Sequence, residues 1–242
     1  MSSSVYGAAR QPRKGESLDK DFLEILEHLK MPTERDKQRL VGASQIGGCA
    51  YHLGLSMLQS HGLEEVEPSE PGLGAWIGTG VHAYIENNLQ LTGAVQECDV
   101  DIFDIPGYGN IRGHIDMYWH NRVFDWKVLG KASFQKMQLG YRKQPDQIPS
   151  TVYRVQQHLY ADGLIQQGYE VEDVNIVAIP KHSNRFSDIA IFTEVYNQGL
   201  VDKAIERARE IWLYASDGRL KDLPRDLESC YTCSSAVTIK RK

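Results

Sequence analysis

The chain has 242 residues, enough for one large domain or two small ones, and its 41% hydrophobic residues supply an ample core. Charged residues make up 24%, which excludes a disordered or fibrous chain, and no apolar run approaches the ~18 residues of a membrane span. With 27 basic against 32 acidic side chains the net charge is −5, which argues against general coating of nucleic acid but leaves room for a local basic strip.

Residues 1–16 are small, polar and basic, without periodicity and without a hydrophobic signal core, so they read as a flexible tail and not as a secretory signal. Four cysteines are too few for a disulfide scaffold, and the expected compartment is the reducing cytoplasm. Leu18, Phe22, Leu23, Ile25, Leu26 and Leu29 recur at helical spacing over 18–31, and Pro32 closes that helix. A second helix is expected from near Ser44 to a stop at Gly62, then an acidic, proline-bounded surface loop over 64–71, then a third helix over 75–91. After Gly93 the apolar period becomes alternation. Residues 95–105, 111–119 and 123–129 read as strands, the last two joined by a tight turn at His120-Asn121. Residues 130–149 show no period, contain Pro145 and Pro149, and read as a loop. A helix over 150–167, strands over 171–180 and 189–195, and a helix over 198–216 follow, ahead of a tail bearing Cys230 and Cys233. Residues 17–242 thus read as one mixed α/β domain with an N-terminal helical extension.

The most informative segment is 113–131. A two-residue turn at His120-Asn121 sets Trp119 against Arg122, and continuing that register puts Asp116 opposite Asp125 and His114 opposite Lys127. Gly113, Ile115, Met117 and Trp119 then share a face with Phe124, Trp126 and Val128, while the ionisable groups share the other. Like charges directly opposed destabilise a sheet, so two facing aspartates need a reason. A solvated, screened face is one. A bound divalent cation is another, since Mg²⁺ takes one or two carboxylates and keeps waters for a phosphate. A lysine two residues beyond the second aspartate can neutralise negative charge developing near that phosphate.

Asp116, followed nine residues later by Asp125-Trp126-Lys127, resembles the core motif of the PD-(D/E)xK nuclease superfamily. Three further stretches narrow the resemblance to its RecB-like exonuclease branch. GTGVHAYIE over 78–86 resembles the histidine motif, GHID and FDWKV resemble the two acidic motifs, and YRVQQHLYADGL over 153–164 resembles the Q-x-x-x-Y helix. The match runs in order from about residue 44 to 164. It implies a restriction-endonuclease-like mixed sheet flanked by helices. It also implies His82, Asp116, Asp125 and the main-chain carbonyl of Trp126 as ligands of Mg²⁺ or Mn²⁺, Lys127 positioning the hydrolytic water, and Gln156 and Tyr160 bordering the site. Read from residues alone, His82 could equally be a surface or satisfied core histidine, Glu86 a solvated neighbour on the same helix face, and Gln157 an adjacent rival of Gln156.

Residues 130–154 hold Lys131, Lys136, Arg142, Lys143 and Arg154 against Asp146, a local charge of +4, interleaved with Phe134, Tyr141 and Tyr153. Such a segment is either a solvated loop or a DNA contact. The CRISPR-associated and AddB-like members of the branch carry an iron–sulfur cluster on one cysteine before the histidine motif and three near the C-terminus. Cys49, Cys230 and Cys233 stand where three of these are expected, and the fourth is missing. A 4Fe–4S cluster would recruit Cys98 or a non-cysteine ligand, with a zinc ion or a metal-free vestige as alternatives. The expected function is a metal-dependent DNA exonuclease of phage or bacterial recombination or repair, with DNA as partner, no membrane, and a second copy of the chain or a recombination protein as further company. The alternatives are a structure-specific endonuclease and a non-catalytic DNA-binding module on the same fold.

Overall fold

The computed structural model describes residues 40–64, 73–143, 152–228, 230 and 233, and for 140–143 the backbone alone. The tail and helix expected within 1–31, and the side chains of Arg142 and Lys143, lie outside the described residues. Among the described residues the elements are α1 (Ala43–Ile46), α2 (Ala50–Ser60), α3 (Leu73–Asn88), β1 (Val95–Ile105), β2 (Gly109–Trp119), β3 (Arg122–Leu129), α4 (Lys131–Lys143), α5 (Val152–Gln166), β4 (Asp173–Pro180), β5 (Ala190–Val195) and α6 (Gln198–Ser216). No helix among them is long and apolar enough to cross a membrane.

The strands form one mixed sheet in chain order, β1 to β5, in which β3 and β4 are parallel and all other neighbours antiparallel. The turn between β2 and β3 is the expected two-residue one. His120 and Asn121 both have left-handed φ, 50° and 58°, as a type I′ hairpin requires, and Trp119 faces Arg122. Parallel pairing of β3 with β4 demands a long crossover, which α4 and α5 supply.

Two expectations about helices are corrected. Residues 130–149 do not read through as a loop, because α4 occupies Lys131–Lys143. Phe134 and Met137, three residues apart, are buried against Leu129, Ile176, Ala178 and Phe192, and tertiary packing thereby makes a helix of a segment with little local signal. The helix expected from Ser44 to Gly62 is two helices broken at Gly47-Gly48. A Cβ on Gly47 would lie 2.9 Å from Val155 Cβ, so the break lets this corner sit directly on α5. Arg207 of α6 donates to the carbonyls of Ile46 (2.6 Å) and Gly48 (2.5 Å), satisfying backbone groups that the break leaves open.

The main core lies among β1–β3, α1, α2, α5 and α6, with Ile46, Met57, Ile115, Leu159, Leu200 and Ile211 among its buried members. Each such side chain contributes about 1.5–3 kcal/mol of burial. Helix α5 is buried from Arg154 to Leu164, yet it carries five polar residues in that stretch. A helix enclosed on all sides tolerates polar groups when they are paired. Asp162 accepts from Tyr196 Oη and the Gln166 amide, and His158 Nδ1 accepts the Asn197 N–H. Gln156 is turned towards β3, and Gln157, wholly enclosed, has no partner for its amide among the described residues.

Candidate active site

Strands β2 and β3 pair through Trp119–Arg122, Tyr118–Val123 and Met117–Phe124, and there their ladder ends. The next pair in that register is Asp116 and Asp125. Asp116 Oδ2 accepts the main-chain N–H of Trp126 (2.8 Å), so the carboxylate takes up a donor from the neighbouring strand just where the ladder stops. β3 meanwhile stays zipped to β4 as far as Leu129–Pro180, and β2 to β1. The hairpin therefore opens at the aspartates, which are 3% and 1% exposed.

Four more side chains converge on this opening. His82, from the middle of α3, lays Nε2 2.9 Å from the Trp126 carbonyl and Nδ1 3.5 Å from Asp116 Oδ1. Lys127 Nζ lies 2.6 Å from Asp125 Oδ2 and 5.0 Å from the centre of the Tyr153 ring. Gln156 donates to Asp125 Oδ1 (3.1 Å) and to Tyr160 Oη (2.6 Å). Gly113 on β2 makes room for Tyr160, since a Cβ there would stand 2.5 Å from the ring. One element supplies each pair of partners: α5 gives Gln156 and Tyr160 one helical turn apart, and β3 gives Asp125 and Lys127 two residues apart on one side of the strand.

The two carboxyls are driven apart in acidity. Burial pushes Asp116 up, but the His82 imidazole, the Trp126 N–H and the Lys127 ammonium outweigh it and hold the group below its ordinary value. Asp125 is raised to about 6, by burial first and by the charge of Asp116, with Lys127 opposing. Its Oδ2 is shut from solvent, with the Lys127 ammonium 2.6 Å against it. Two carboxylates, a carbonyl and an imidazole facing one another, with buried negative charge in excess, suit a hard divalent cation such as Mg²⁺ or Mn²⁺.

The remaining sequence-predicted residues are placed differently. His114 does not face Lys127. It pairs with Asp99 across the β1–β2 ladder, and its ring sits between Glu97 and Asp99. Glu86 is exposed on α3. Lys131 and Lys136 are exposed on α4, directly after β3. Arg154 is corrected as a DNA contact: its side chain is 8% exposed and paired with Glu194 of β5, so its charge is spent inside the fold. Tyr153, from the same segment, offers its face to Lys127. The sulfurs of Cys49, Cys230 and Cys233 lie within 4.8 Å of one another, whereas Cys98 sits on β1 opposite Ile115, beside the main core.

Sequence comparison finds no matching family model and no relative among curated proteins. Among solved structures, a candidate exonuclease from Eubacterium rectale is similar in fold, with a TM-score of 0.50 at 12% identity over 86% of this chain and 92% of that one. The alkaline exonuclease of Laribacter hongkongensis aligns with a TM-score of 0.47 at 10% identity over 83% of this chain and 95% of that one. Its complex with dAMP gives 0.49 at 12% identity, over 86% and 100%. At such identities the likeness is one of fold: a mixed sheet flanked by helices.

Proposed function

We propose that the chain is a metal-dependent deoxyribonuclease of the PD-(D/E)xK type, in its RecB-like branch, acting as an exonuclease. The single observation that carries this reading is the opening of the β2–β3 hairpin at Asp116 and Asp125, with His82, the Trp126 carbonyl and Lys127 gathered around it. A solvated hairpin face would have left these groups in water. A buried, unevenly titrating pair of carboxylates is costly for a fold and useful for holding a cation.

His82, Asp116, Asp125 and the Trp126 carbonyl would hold Mg²⁺ or Mn²⁺. When bound, the ion supplies a Lewis acid for the scissile phosphate and lowers the pKa of water beside it. The protein's own residues do the rest. Lys127 brings a fixed positive charge to the phosphate and donates a hydrogen bond to the attacking water, its ammonium held in place by Asp125 and the Tyr153 ring. Gln156 fixes the rotamer of Asp125 and is itself fixed by Tyr160, so the carboxylate is oriented before substrate arrives. Lys131 and Lys136, exposed on α4 next to the end of β3, would meet the DNA backbone.

The test is incubation of the protein with linear and with covalently closed circular DNA in the presence of Mn²⁺. Degradation of linear DNA alone is the expected result. Loss of both forms makes the chain an endonuclease on the same core, and survival of both overturns the catalytic reading in favour of a binding module.

A further inference from the structure

The cysteine group lies apart from the carboxylates, on different elements. Cys49 is the N-cap of α2 and His52 lies one turn further along it, so C-A-Y-H places both on one face of the helix. The other two sulfurs come from Cys230-Tyr-Thr-Cys233. The sulfurs of Cys49 and Cys233 are 3.6 Å apart, and His52 Nδ1 lies 3.7 Å from Cys230 Sγ.

These distances discriminate between ligand arrangements. A tetrahedral Zn²⁺ with bonds of about 2.3 Å to sulfur and 2.0–2.1 Å to nitrogen sets its ligand atoms about 3.5–3.8 Å from one another. In a 4Fe–4S cluster each thiolate binds a different iron, which forces the sulfurs well apart around an inorganic core. The three sulfurs here crowd about one point. The remaining cysteine, Cys98, is on β1, whereas His52 stands beside Cys230, just outside the 4.8 Å circle of the three sulfurs, and a small turn of its side chain would bring it in. The residues present do not fit the cluster.

The surroundings are built for a charged sulfur. The Asp226 N–H points at Cys49 Sγ (3.4 Å), and the N-terminal end of α2 adds its positive dipole. The approach of the C-terminal segment is fixed by the Tyr51 N–H, which donates to the Pro224 carbonyl (3.2 Å), by Arg225 stacked 3.8 Å over the Tyr51 ring, and by Leu223 packed at Gly54. The Arg207 clamp on Ile46 and Gly48 holds the corner that presents Cys49.

We infer that Cys49, His52, Cys230 and Cys233 form a mononuclear Cys₃His zinc site that ties the C-terminal segment to α2, across 184 positions of sequence. The site is closed by four protein ligands and is structural, which separates it from the carboxylate centre. Its truth does not depend on the nuclease reading, because its readout is metal content.

The full-length chain, purified and dialysed, is expected to retain about one Zn²⁺, without iron or acid-labile sulfide. Replacement by Co²⁺ is expected to give the intense d–d bands of a tetrahedral site with thiolate-to-cobalt charge transfer. Cys98→Ser keeps the full zinc content, and His52→Ala and Cys230→Ser lose it. His52→Cys keeps zinc and shifts the cobalt bands towards an all-sulfur site, which distinguishes ligation from mere folding. Brown protein with iron and sulfide in place of zinc, metal-free protein that takes up no cobalt, or loss of zinc in Cys98→Ser but not in His52→Ala would each overturn the inference.

Discussion

Asp125→Asn is expected to lower DNA hydrolysis by at least about 10³-fold while DNA affinity changes no more than a few-fold, and to raise the melting temperature at neutral pH. The loss of turnover follows from removing one of the two carboxylates that hold the cation. The gain in stability follows from the acidity of Asp125 in the fold, about 6, against an ordinary carboxyl near 3.9 when unfolded. Below about pH 4 the group is protonated in both states and costs nothing. Between about 4 and 6 the unfolded chain releases the proton and the folded one keeps it, so stability falls as pH rises through that window and the full cost is present above it. A shift of this size corresponds to roughly 2–3 kcal/mol, or some 4–12 °C for a chain of this length, as an upper figure because Asp116 and Lys127 share the charge. Thermal melts at about pH 3.5 and 7.5, without added Mg²⁺ or Mn²⁺, read it directly. The variant should melt higher than the parent at pH 7.5 and alike at the lower pH. A variant that cleaves at the parental rate removes Asp125 from the site.

Lys127→Met is expected to lower kcat by about 10²–10³-fold with Mn²⁺ affinity retained. The lysine is 17% exposed and holds its ammonium on Asp125 and over Tyr153, so a methionine of similar length keeps the packing and deletes the charge. The charge of Lys127 also restrains the Asp125 carboxyl, and its loss should move the acid limb of the kcat profile to higher pH. Calorimetric titration with Mn²⁺ and a pH series of single-turnover rates separate these effects. A loss confined to KM would make Lys127 a DNA contact and not part of the chemistry.

The sequence was most informative where pairing is local. The His120-Asn121 turn, the register through Met117–Phe124 and the bounds of α6 all follow from residue spacing and turn preference, with no distant partner needed. Continuing the same register put Asp116 opposite Asp125, and that was less than the whole: the ladder stops one step short and the carboxylate bonds the Trp126 N–H instead. Extrapolated alternation has no means of showing where two strands part, because the parting is set by β4 holding β3 and β1 holding β2. His114 went to Asp99 for the same reason.

Non-local burial explains the other differences. α4 is a helix because Phe134 and Met137 meet Ile176 and Phe192, residues about forty positions or more downstream, and only two prolines and a run of polar residues were visible locally. Arg154 looked like part of a basic strip, but its partner Glu194 stands forty residues away. His52 carried a readable signal, the C-x-x-H spacing with Cys49 matching C-x-x-C at the other end, and it acquires meaning only when the fold brings Cys230 beside it.

The opened hairpin is expected to hold a divalent cation. Crystals grown with Mn²⁺ and measured near the manganese absorption edge test it most directly. An anomalous peak ligated by Asp116, Asp125, the Trp126 carbonyl and His82, abolished in Asp116→Asn, is the expected result. Manganese bound elsewhere, with those four groups still bonded to one another and to Lys127, would contradict it.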